Sequence, residues 1–110
     1  VRSELFLTTF RDATLVGSDF SFARLYGTDF TKAKLGGSRF LRAQVEAAEI
    51  IGADGKKTGR KYPVSFRSAD LRDAYFVGAT LDVVDVTGSN LEREQLRDAD
   101  VRKLIDLNAD

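Results

Sequence analysis

A period of five constrains this chain more than any other feature. Every fifth residue from Leu5 is large and apolar: Leu5, Phe10, Leu15, Phe20, Leu25, Phe30, Leu35, Phe40, Val45 and Ile50. Two places earlier the residue is always small: Ser3, Thr8, Ala13, Ser18, Ala23, Thr28, Ala33, Ser38, Ala43 and Ala48. The phase then breaks and returns one residue later, with centres at Phe66, Leu71, Phe76, Leu81, Val86 and Leu91. A period of five fits neither an α-helix nor an alternating strand. It requires a chain that turns a corner every five residues and points one large and one small side chain inward on each side. Glycine recurs two places after the centre, at Gly17, Gly27, Gly37, Gly52, Gly78 and Gly88. A turn with positive φ favours it there.

Segments such as Ser68-Ala69-Asp70-Leu71-Arg72 and Gly78-Ala79-Thr80-Leu81-Asp82 resemble the pentapeptide-repeat family, whose pattern is small, Asp or Asn, Leu or Phe, then two polar or small residues. The resemblance covers residues 3–50 and 64–91. It implies an all-β solenoid: a right-handed quadrilateral β-helix with four pentapeptides per coil, coils stacking about 4.8 Å apart. The centres would make somewhat over four coils. From residue 8 to 43 the finer repeat is ten, Ser or Thr going with Phe and Ala with Leu. Phe10 is then expected beneath Phe30 on one side and Phe20 beneath Phe40 on the opposite side, with leucine on the other two.

Residues 52–63 interrupt the pattern. They hold three glycines, the only proline and four basic residues against one acid. That composition predicts a projecting loop inside a repeat domain of residues 1–91. If Ala53 and Gly55 continue a decayed repeat, six residues are extra; the alternative is eleven. Gly55-Lys56-Lys57-Thr58 lacks the upstream glycine, the hydroxyl directly after the lysine and the following helix of a phosphate-binding loop. Asp54 alone supplies too few oxygens for calcium. After Leu91, Glu94 falls in the small column, which a charged side chain cannot enter unpaired. Ser89 with Glu92 resembles a capping box, and Glu, Arg, Gln and Leu favour helix. Residues 92–105 are therefore expected to form a C-terminal capping helix, with Leu96, Ala99, Leu104 and Ile105 on its inner side, in a cap and tail of residues 92–110. The rival is one more coil through Ala99-Asp100-Val101.

Chemistry is scarce. Histidine and cysteine are absent, which removes the usual neutral-pH base, the thiol nucleophile and the common zinc ligands. The hydroxyls of Thr8, Ser18, Thr28 and Ser38 face inward beside phenylalanine. Asp82 and Asp85 sit in a repeat where Asp commonly faces solvent. No enzyme, cofactor or metal is expected. Seventeen basic and seventeen acidic residues give zero net charge. That balance disfavours direct nucleic-acid binding and equally a uniformly acidic imitation of DNA. No apolar run reaches a membrane-spanning length. The chain has no methionine, as expected of an excised fragment or a processed protein; the expected location is soluble, either cytoplasmic or, for a processed protein, lumenal or exported.

What remains is surface. Phe6, Leu7, Phe22 and Tyr26 occupy outward columns of the first coils, and Lys56, Lys57, Arg60 and Lys61 make the loop basic. These eight are the candidate protein-contact residues. The expected function is a scaffold or protein-interaction module, a docking or accessory subunit of a larger assembly, with homo-association through a coil end as a further possibility. The alternative is a topoisomerase-binding imitation of DNA, similar to the quinolone-resistance members of the family; zero net charge and a loop of charge +3 weigh against it.

Overall fold

The computed structural model describes residues 3–105. Strands β1 (Glu4–Phe6), β2 (Arg24–Tyr26) and β3 (Gln44–Glu46) lie parallel in that order. After them come the hairpin strands β4 (Ala48–Ile51) and β5 (Lys57–Tyr62) and the short β6 (Val64–Ser65). Strand β7 (Thr80–Asp85) pairs with β3 and β6, and β8 (Asp100–Ile105) pairs with β7. On this first side the register runs Leu5, Leu25, Val45, Leu81, Val101. Single bridges repeat it on the others: Thr9, Asp29 and Ser65; Thr14, Lys34 and Asp70; Asp19, Arg39 and Tyr75. The chain is the expected right-handed quadrilateral solenoid, four coils and the opening side of a fifth.

Each corner falls two residues after a centre. Beyond the glycines at 17, 27, 37, 78 and 88, eight other residues take positive φ, among them Leu7, Phe22 and Val83. A left-handed conformation costs an L-residue roughly 1–2 kcal/mol. The ladder on both sides of each corner over-determines it. Three of the four corners are also closed by a turn hydrogen bond, as in Ala13 N–H to Phe10 O, Ser18 N–H to Leu15 O and Ala23 N–H to Phe20 O. The corner after the first side has no such bond at Leu5–Thr8 or Leu25–Thr28. Gly52 was expected among the left-handed corners; its φ is not positive, because it belongs to the hairpin turn instead.

The interior is two side chains wide. Phe10, Phe30 and Phe66 stack at 5.3 and 5.1 Å; Phe20, Phe40 and Phe76 stack at 5.3 and 4.9 Å on the opposite side. The two stacks meet edge to face across the axis at 5.5–6.3 Å. Such ring pairs contribute beyond their burial. Centres from Leu25 to Leu81 along the register are fully buried, whereas Leu5, Phe10, Leu15 and Phe20 of the first coil are half-buried. In the small column Ser38 donates to Leu15 O at 3.1 Å, but the Thr28 hydroxyl is buried without a partner.

The interruption corrects the sequence-based count. The register steps by 20 from Leu25 to Val45 but by 36 from Val45 to Leu81, so the third coil is longer by 16 residues, not six or eleven. Ile50 is no centre: it lies half-buried in the hairpin, and Phe66 follows Val45 directly in the core. Phe66 nevertheless reaches a phenylalanine-bearing side, as the ten-residue alternation requires. The extra residues leave the wall as the antiparallel β4–β5 hairpin, turning at Gly52–Lys56.

The C-terminal capping helix is also corrected. Only Arg93–Leu96 form a single 3-10 turn, and Asp100–Ile105 are a strand. Helix propensity is a weak prior, and here it loses to the open edge of β7, which gains a parallel partner along its length. Three of the four residues assigned an inward role keep it in the new conformation: Leu96 is buried, and Ala99 and Leu104 pack on the core, whereas Ile105, half-buried, is not part of it. Glu94 stays outside. Gln95 pins the turn to the coil below, its amide donating to the Leu71 and Ala74 carbonyls at 2.7 and 3.1 Å. Residues 106–110 of the expected tail lie outside the described residues.

On the second side, outward carboxylates brace the wall. Asp29 accepts from the Thr31 N–H at 2.9 Å and from Arg11, and Asp85 accepts from the Thr87 N–H at 3.0 Å and from Arg67. Burial pushes both carboxyls up; the threonine hydroxyls and N–H groups, with the arginines, outweigh it, and both end below the ordinary carboxylate pKa. Arg72, with Asn90 behind it, holds Asp70 far below that range.

Three outcomes follow from this packing. Phe30→Ala should lower stability by about 3–5 kcal/mol, while Thr28→Val, which removes an orphan hydroxyl beside Val64, should raise it by about 1 kcal/mol; denaturant titration reads both. Deleting residues 48–63 joins Ala47 to Val64 and restores the five-residue step. The circular dichroism spectrum should stay β-helical and the melting midpoint should move by only about 5 °C, since closing a surface excursion changes loop entropy little. A collapsed spectrum would show the hairpin to be part of the wall. Because Asp29 and Asp85 titrate lower when folded, their stabilisation is complete above the unfolded pKa and disappears as pH falls below about 4. The midpoint should be flat from neutrality to that point and then drop, and Asp85→Asn should make the drop shallower.

Candidate interaction surface

The first side is where the solenoid departs from a plain wall. Its outward residues form two columns. One runs Glu4, Arg24, Gln44, Thr80, and the other runs Phe6, Tyr26, Glu46, Asp82. Period-two alternation dictates this, since Leu5, Leu25, Val45 and Leu81 between them face the core. Phe6 is 56% exposed, and Tyr26 above it is half-buried.

The hairpin forms a second wall beside these columns. It leaves the coil just after Glu46, at the corner that lacks a turn hydrogen bond, and its base folds back over Gly27. A Cβ on Gly27 would lie 2.7 Å from the Ala48 Cβ and 2.9 Å from the Leu7 Cδ2, and φ there is +62°; both the space and the conformation call for glycine. Leu7 therefore spans the next corner toward the hairpin base while remaining 44% exposed. Between wall and hairpin runs a groove of about 430 Å³, lined by Phe6, Tyr26, Glu46, Glu49, Lys61 and Asp82 among others.

The structure thus brings together Phe6, Tyr26 and Lys61, with Leu7 at the base, and separates the rest. Phe22, 49% exposed, sits at the far edge of the same side beside Arg24, Arg42 and Gln44. Lys57 is tied to Glu49 at 3.3 Å. Lys56 follows the turn, its N–H donating to Asp54 at 2.9 Å, and Arg60 lies on the exposed strand β5. Glu46 and Glu49 were not singled out from sequence. The 20-residue register would have placed Glu46 above Tyr26, but Glu49 reaches the groove only because 16 residues fold as a hairpin. Asp82 and Asp85, near neighbours in sequence, separate: Asp82 lines the groove and Asp85 braces the second side.

The inward hydroxyls meet main-chain acceptors or apolar walls, as for Thr8 to Phe6 O at 3.5 Å. Among the described residues no group of His, Cys, Asp or Glu is gathered closely enough to hold a metal ion, and no helix is long and apolar enough to cross a membrane.

No curated protein matches the chain. Among solved structures, it is similar to a pentapeptide repeat protein from the Arabidopsis thaliana thylakoid lumen, at 23% identity over 86% of this chain and 71% of that one, with a TM-score of 0.31. It is also similar to HetL, a pentapeptide repeat protein involved in heterocyst differentiation regulation from the cyanobacterium Nostoc sp. strain PCC 7120, at 22% identity and a TM-score of 0.33. That match covers 92% of this chain but only 48% of HetL, so the chain spans about half of that relative. The family model for pentapeptide repeats matches residues 3–41 and 65–102 in eight copies. The unmatched stretch contains the hairpin. With the coil, its register and its corners in place, the chain belongs to the pentapeptide-repeat family.

Proposed function

We propose that this protein is a non-enzymatic scaffold, a docking or accessory subunit that engages a protein partner through the first side and the adjoining N-terminal end of its coil. The observation that carries this reading is the grouping of large apolar side chains on outward and corner positions of the first coil, where Phe6, Leu7 and Phe22 are 56%, 44% and 49% exposed. Apolar surface concentrated in one place marks contact more often than chance exposure does. Phe22 and Leu7 also hold the left-handed conformation at corners where glycine would be easier. Large apolar side chains at such corners fill none of the coil interior. They suit the role of anchors for a partner, or for a second copy. Membership of a family whose fold often mediates protein interactions supports the same reading, and the cationic hairpin offers a second contact for it.

Changing Phe6, Phe22 and Tyr26 together to Ser should abolish partner capture and any self-association by light scattering, with the melting midpoint displaced by only about 5 °C, since these rings lie outside the core. Tyr75→Ser, an exposed ring on another side, serves as the control. A triple variant that binds normally removes the patch from the functional account; one that unfolds assigns the rings to the core.

A further inference from the structure

We infer that the groove between the first side and the hairpin receives arginine side chains from an extended basic segment of a protein partner. The inference rests on the docking reading above and names the chemistry of what docks.

The register sets the order of groups. Phe6, Tyr26, Glu46 and Asp82 occupy consecutive rungs of one outward column, so two aromatic rings pass directly into two carboxylates at strand spacing, about 4.8 Å per rung. The hairpin adds Glu49 from the opposite wall, and Glu4 stands beside the lowest rung. Against these four carboxylates the groove lining holds one cation, Lys61, and Lys103 stands on the rung beyond Asp82. Glu4 and Glu49 are already engaged, with Arg24 at 3.7 Å and Lys57 at 3.3 Å. Glu46 and Asp82 make no ion pair among the described residues. In a chain of zero net charge this is a local excess of negative charge, walled on two sides and floored by a rigid sheet.

Guanidinium meets both halves of that arrangement. Its plane stacks on an aromatic face, and its fork donates two parallel hydrogen bonds to a carboxylate. An ammonium offers neither the plane nor the fork. A metal ion does not fit, since the carboxylates are not gathered closely enough to share one. Alternate side chains of an extended segment recur about every 6.8 Å. A first arginine over Tyr26 could therefore reach Glu46 while a second meets Asp82. The sites sit on hydrogen-bonded rungs and need little ordering on binding. Lys61 is the resident competitor for the same carboxylates.

The test uses the whole chain and one defined probe, acetyl-Arg-Ser-Arg-Ser-Arg-amide, beside its citrulline counterpart, which keeps the shape and loses the charge. Titration calorimetry should show the arginine peptide binding at least about ten times more tightly than the citrulline peptide, and weakening as salt rises. Amide shifts in the NMR spectrum should centre on Tyr26, Glu46 and Asp82. The double variant Glu46→Gln, Asp82→Asn, both outward and outside the core, should lose about tenfold, whereas Lys61→Ala should gain about threefold, an opposite sign that general loosening of the fold would not produce. Absence of binding, equal affinity for citrulline, an unaffected double variant, weaker binding by Lys61→Ala, or shifts confined to another side would each overturn the inference. The double variant keeps all three aromatic anchors. If it still captures the partner that the Phe6, Phe22, Tyr26 variant loses, the docking surface stands and the arginine site falls. If the arginine peptide binds as stated while the aromatic variant keeps its partner, the site stands and the wider docking surface falls.

Discussion

The structure depends on one interaction, the parallel main-chain ladder that binds each coil to the next. A residue donates and accepts along the axis on every side, as in Asp29 N–H to Thr8 O and Phe10 N–H to Asp29 O. Once that ladder is in register, each inward phenylalanine sits on another phenylalanine and each outward column becomes a straight line of defined chemistry. The ladder also explains why corners tolerate Leu7, Phe22 and Val83 in a conformation suited to glycine. Two hydrogen-bonded sides leave the intervening residue no alternative, and the strain of one corner is small against the pairing it permits.

The hairpin is the clearest consequence of the same rule. Sixteen residues are not a multiple of five, so they cannot be absorbed into the wall without moving every later centre out of the core. They leave instead as a unit that satisfies its own main chain through β4 and β5. The point of departure is the corner after the first side, where no turn hydrogen bond has to be broken. Gly27 then allows the base of the excursion to lie close against the coil. A flat exterior becomes a groove, and residues far apart in sequence, such as Tyr26, Lys61 and Asp82, come to share it.

The interior is filled by phenylalanine, leucine and small side chains, Thr28 and Ser38 among them, while the carboxylates and cations stand on outward rungs. Repeat architectures of this kind build function by decorating a stiff frame. Here the decoration is uneven: the second side is braced by Asp29, Asp85 and their arginine and threonine partners, while the first side carries exposed Phe6 and, beside the Glu4–Arg24 pair, Glu46 and Asp82, which make no ion pair among the described residues.

Much of this was legible in the chain alone. The five-residue phase and the small partner two places earlier suit a narrow square coil, and with the 20 residues per coil that the family resemblance implies, the ten-residue alternation sets two phenylalanine stacks on opposite sides. The adjacency of Phe6 and Tyr26 follows from the same count. Where periodicity lapses, so does the inference. The extra length of the third coil was misjudged because Ala48 and Ile50 keep the phase by residue type, although the chain has already left the wall. Residues 92–105 read as helix because local propensity knows nothing of an unpaired strand edge; β7 offered five paired positions, the core took Leu96, and the tertiary gain prevailed. The groove was invisible for the same reason. Its floor is set by a periodic register that sequence reveals, but its wall is a hairpin whose direction depends on Gly27, Leu7 and Ala48 meeting in space. Sequence by itself determined the coil and what faces in or out; only the tertiary structure decided what the irregular segments pack against, since contacts between residues without a shared period leave no trace in the order of the chain.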